Sequence, residues 1–150
     1  MKKILLVIAF LFAGFIIFIS YSKTAFHKSH PFLSEQEVKK SDSVLGKAFS
    51  DHLSSFKISG QGVVVKVLPD DISGTRHQRF IVELASGQTL LIAHNIDIAN
   101  RVGSLRESDT VRFSGEYEWN DQGGVIHNTH RDPKGRHAAG WLEYKGKRYE

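Results

Sequence analysis

Three of the eight histidines in this 150-residue chain, His127, His130 and His137, crowd into one short stretch, GEYEWNDQGGVIHNTHRDPKGRHAAGW, with a fourth, His94, upstream. Imidazoles this close can hold a metal ion, relay a proton or clamp a phosphate. With His94 or Asp132 as a further ligand, the three would suit a divalent cation such as zinc. An open coordination position would then take a water nucleophile, with Glu116 and His127 as the catalytic pair of a phosphodiesterase-like hydrolase. The spacing sets a condition. Residues three apart on a strand face opposite ways, so His127 and His130 can share one ion only if the strand ends near Asn128, and Asp132 before Pro133 favours such a break. His127 with Thr129 also makes the strand-borne HxT pattern of some phosphoesterases. Its mate, His52 with Ser54, falls in a helical pattern, where residues two apart diverge.

A second chemistry uses the cations around these histidines. Arg76, His77, Arg79, Arg131, Lys134 and Arg136 could meet the phosphates or sulfates of an anionic polymer, a nucleic acid or a polyanionic glycan. This makes the chain a binding or interaction module and the hydrolase the runner-up. Trp119, Trp141 and Tyr117 read first as packing residues.

Composition limits what else is possible. The chain has no cysteine, which excludes disulfides, thiol nucleophiles and thiolate metal sites, so any ion must be held by imidazole and carboxylate. Lys and Arg number 20 against 16 Asp and Glu; without Lys2 and Lys3 the balance is 18 to 16, too even for a nucleic-acid signature by charge alone. Only the stretch from Arg131 to Glu150 is locally basic.

Lys2 and Lys3 precede an apolar run from Ile4 to Ile19, the charge order of a segment entering a membrane with its N-terminus inside. Residues 1–22 therefore read as a signal peptide or an N-terminal anchor in the inner membrane. The remainder is expected to be exported, either periplasmic or facing that side from the anchor. Residues 23–57 read as a linker plus an amphipathic helix, about Glu35 to Ser54. Ser34 and Glu37 form its capping box, and Val38, Leu45, Phe49, Leu53 and Phe56 its apolar stripe.

From residue 58 onward the pattern is β. Strands are expected at Val63–Leu68, Arg79–Leu84, Gln88–Ala93, Thr110–Trp119 and Gly124–Thr129, with a short helix at IDIANRV and a closing hairpin from Trp141 to Tyr149. Three strands, a helix and two strands is the order of a mainly β, five-stranded barrel of the oligonucleotide/oligosaccharide-binding (OB) type. The Asn120–Gly123 loop sets a register with Glu116 opposite His127. It sends Val111, Phe113, Tyr117, Trp119 and Ile126 to the core, and Arg112, Ser114, Glu116, Glu118 and His127 outward.

The words GEYEWN, GGVIH, HRDPKGRH, GW and KGKRY, with HQRFIV and LLIAHNIDIA upstream, resemble an exported bacterial family of unknown function over about Gly60–Tyr149. The resemblance implies export and an OB-like barrel but no activity. This chain reads HNTH where the family pattern reads HWTH, so Asn128 replaces an aromatic.

Overall fold

The computed structural model describes residues 33–150. The apolar run Ile4–Ile19 and its cleavage or anchoring lie outside these residues. Among the described residues no helix is long and apolar enough to cross a membrane.

Helix α1 spans Glu35–Ser50 and starts at the capping box: the Glu37 N–H bonds the Ser34 hydroxyl, and the Glu37 carboxylate accepts from the Ser34 N–H. It ends four residues earlier than its stripe suggested. Asp51 closes the last turn through Lys47 and Phe49 carbonyls, and His52 then adopts φ 55°, so Leu53 stays exposed. Leu45 and Ala48 enter the core, while Asp42 accepts a bond from the Ser86 N–H in the turn between the second and third strands.

The strands are β1 (Phe56–Val67), β2 (His77–Glu83), β3 (Thr89–Asn95), β4 (Thr110–Glu118), β5 (Val125–His127), β6 (Trp141–Tyr144) and β7 (Lys147–Tyr149). Hydrogen bonding runs β1-β2-β3-β5-β4 and returns from β4 to β1, closing a five-stranded barrel. β1 reaches both neighbours because a bulge between Val64 and Lys66 bends it: Phe56–Val63 pairs with β4, and Val63–Val67 with β2. The barrel's one parallel seam is short, Leu91 and Ile92 of β3 against Val125 and Ile126 of β5. β6 pairs with the first half of β4, where β5 leaves that edge open, and β7 pairs with β6.

The core follows the period-two pattern: Phe80 and Val82, Leu90 and Ile92, Val111, Phe113 and Tyr117, and Ile126 are all fully buried. Two polar side chains join them at the barrel end away from α1. Gln78 bonds both the N–H and the carbonyl of Val102, and its cross-strand neighbour His94 bonds Thr129 and the Asn100 carbonyl.

The IDIANRV segment is a turn rather than the expected short helix. The Asn95 side chain accepts from the Asp97 N–H, and the Asp97 carboxylate holds the backbone and guanidinium of Arg76. Gln78 takes Val102. With its polar groups committed to β2 and the loop before it, the segment cannot continue a helical ladder.

Candidate functional site

The register expected for the last barrel strands holds: Glu116 faces His127 and Tyr117 faces Ile126. Tyr117 is interior, and Glu116, Glu118 and His127 lie on the outer face. β5 ends at His127 because Asn128 takes φ 50°, a left-handed conformation that asparagine tolerates better than most residues. The chain then turns away from the parallel β3–β5 seam just as β3 ends at Asn95. A cleft of about 420 Å³ opens between the two departing segments, lined by Asn95, Ile98, Glu116, Asn128, His130, Arg136 and His137.

Within the cleft, His130 and His137 meet edge to face with ring centroids 5.0 Å apart. Each Nδ1 lies against a main-chain carbonyl, His130 on Arg131 at 2.9 Å and His137 on Ala138 at 3.0 Å. A carbonyl only accepts, so each Nδ1 carries a proton, and in the neutral ring Nε2 is the accepting atom. Arg136 is aimed by Asp132, whose carboxylate accepts from its Nε, its backbone N–H and the Lys134 N–H. These bonds, the Arg136 side chain first, hold the Asp132 carboxyl far below the usual carboxylate range. Across the cleft, the Asn128 amide donates to Glu116 Oε2 at 2.9 Å.

The 128–140 loop reaches this position because its far end passes within backbone contact of the barrel. The Gly140 N–H bonds the His130 carbonyl, and a Cβ at Gly140 would stand 2.0 Å from the Asn128 oxygen and 2.5 Å from the Ser114 oxygen. Only glycine fits there.

The three histidines are not one constellation. His130 and His137 share the cleft, whereas His127 sits on the ladder beside Glu116 and Glu118. The left-handed residue at Asn128 separates the two sets. It also breaks the HxT pattern, since Thr129 turns inward and its hydroxyl lies 2.8 Å from His94 Nδ1. His94 and Asp132 have no ligand atom to spare. His94 is fully buried with both ring nitrogens bonded, and burial lowers its pKa from 6.5 to about 4.

The six expected anion-binding cations are likewise divided. Arg76 pairs with Asp97, Arg79 bonds the Pro69 carbonyl, His77 Nδ1 bonds the Thr75 carbonyl, and none of the three lines the cleft. Arg131 is tied to Glu150, and Lys134 sits exposed on the loop. Arg136 alone of the six lines the cleft.

Trp119 donates its indole N–H to the Phe49 carbonyl and packs on Phe49 and His52, while Trp141 lies under Arg148 and Arg112. Both work as packing surfaces. Reading the sequence missed Asn95, Ile98 and Asn128 as cleft residues. The signal for Asn128 was its side-chain tolerance of positive φ; Asn95 and Ile98 carry none, since they reach the cleft only through barrel closure.

Fold and cleft together define an OB-type barrel with a polar, histidine-lined opening at the end away from its helix. The chain belongs to the family described as Protein of unknown function (DUF3465), which matches residues 30–150. The match extends N-terminally past the motif words and takes in α1. No curated protein matches the chain.

Proposed function

We propose that this protein is an exported binding module of the cell envelope that receives an anionic polymer, a nucleic acid or polyanionic glycan, in the cleft beside the β3–β5 seam. The observation that carries this reading is the convergence of exposed Arg136 and half-buried His137 on the cleft wall, which buried His130 completes. Arg136 is oriented by Asp132 but remains 66% exposed, with guanidinium donors to spare for a phosphate or sulfate oxygen. Of the two imidazoles, half-buried His137 can present its Nε2 to a ligand, whereas His130 is buried. Export rests on Lys2, Lys3 and the apolar run Ile4–Ile19.

Retention of the protein on immobilised heparin or single-stranded DNA, measured across a salt series, tests the reading. Arg136→Ala is expected to weaken retention and to lower the slope of log affinity against log salt by about 1. Arg79→Ala, outside the cleft, should leave both unchanged. No retention at low salt, or equal losses from the two variants, would remove the cleft as the binding site.

A further inference from the structure

We propose that Glu116, Glu118 and His127 form a divalent-cation site on the outer face of the β4–β5 ladder, suited to an ion of the zinc or manganese class. Glu116 and Glu118 are two apart on β4 and project the same way, and His127 is the cross-strand partner of Glu116. One ligand atom from each lies within 4.8 Å of the other two.

Three features point to an ion. The first is His127 Nε2, which is closed off from solvent and has no hydrogen-bond partner. Glu118 Oε1 is 3.8 Å away, too far for a hydrogen bond. It is close to the spacing of neighbouring ligands around one ion, since nitrogen and oxygen about 2.0–2.2 Å from a tetrahedral metal stand roughly 3.4 Å apart.

The second is charge. Two carboxylates lie side by side, and among the described residues neither forms an ion pair with a lysine or arginine. Lys57, opposite Glu116 on β1, commits its ammonium to the Ala139 carbonyl. A divalent cation would offset the repulsion that the protein leaves standing.

The third is support from behind. Asn128 Nδ2 donates to Glu116 Oε2 at 2.9 Å and Ser55 Oγ donates to Glu118 Oε1 at 3.0 Å, so both carboxylates are held as metal-binding carboxylates commonly are. One imidazole and two carboxylates, with no sulfur, suit zinc or manganese over softer ions.

The site differs from a three-histidine centre, since His130 and His137 take no part. Glu116 also lines the cleft, so the ion would border any anionic group bound there. That bridging role rests on the anion reading above; the cation site itself does not.

Calorimetric titration of the untagged full chain with Zn²⁺ or Mn²⁺ alone, at pH 7 and with no anionic polymer present, decides the matter. One ion per chain is expected. Glu118→Gln and His127→Gln should each weaken binding at least about tenfold, while His130→Gln and His137→Gln leave it unchanged. Glutamine at 118 can still accept from Ser55, so a matched thermal transition separates loss of a ligand from loss of the fold. No saturable binding by the wild-type chain would overturn the proposal. So would binding that survives His127→Gln and fails in His130→Gln. Neither result touches the heparin or DNA measurement, which is made with chelator present.

Discussion

At the scale of single residues, His94 has the most direct consequence for stability. Its interior position disfavours the charged ring through burial, and the bonds to the Thr129 hydroxyl and the Asn100 carbonyl offset this only in part. Burial drops its pKa to about 4 from an ordinary 6.5. Between those two values the unfolded chain binds the proton and the folded chain does not, so stability falls as pH drops from 6.5 toward 4. The expected loss from this residue is about 3 kcal/mol, complete near pH 4. Urea unfolding at pH 7 and pH 4.5 measures it, and His94→Gln should flatten the difference between the two. A variant with the same pH slope as wild type would assign the effect to other groups. The same scale explains why a row of arginines makes no cationic face: Arg76, Arg101, Arg131 and Arg136 each have a carboxylate partner.

At the scale of elements, the loop from Asn128 to Gly140 does most to shape the site. It leaves β5 through the left-handed Asn128 and returns to β4 through Gly140, whose N–H bonds the His130 carbonyl. The atoms that crowd Gly140 are backbone oxygens, which cannot rotate aside. Gly140→Ala is therefore expected to cost about 2–3 kcal/mol and to lower retention on anionic resin, as the loop lifts His130 and His137 off the barrel. Thermal denaturation and the salt series check the two halves of that expectation. Wild-type stability in this variant would mean that the loop is less tightly seated than the contacts require. Elements were legible where their signal is local. The capping box at Ser34 and Glu37 marked the start of α1, and alternation marked β2, β3 and β4. The IDIANRV segment misled because its apolar spacing is helical, whereas its polar groups are claimed by Gln78 of β2 and by Arg76 in the loop before it.

At the scale of the whole molecule, the last hairpin adds to the core of the closed five-stranded barrel. β6 lies on the part of β4 that β5 leaves open, and Leu142, Tyr144 and Tyr149 belong to the buried core. The Tyr144 hydroxyl bonds Asp109 at 2.7 Å and the Ser104 carbonyl, tying the hairpin to the loop before β4. Truncation after Gly140 is expected to abolish the cooperative thermal transition seen by circular dichroism, because it strips β4 of a neighbour and exposes core side chains. A truncated chain that still melts cooperatively near the wild-type temperature would show the barrel to be self-sufficient.

Alternating strand patterns, the capping box, the four-residue loop that pairs Glu116 with His127, and the lack of cysteine were all decided within short stretches of chain. Periodicity, turn chemistry and donor type act over a few residues. Which imidazoles share a wall was decided only in three dimensions. His127 stands with Glu116 and Glu118, His130 and His137 stand with Asn95 and Ile98, and His94 is sealed inside, because barrel closure and the return of the 128–140 loop join positions distant in the chain. One backbone angle at Asn128 sends neighbouring histidines to different places, and no spacing rule along the sequence encodes that.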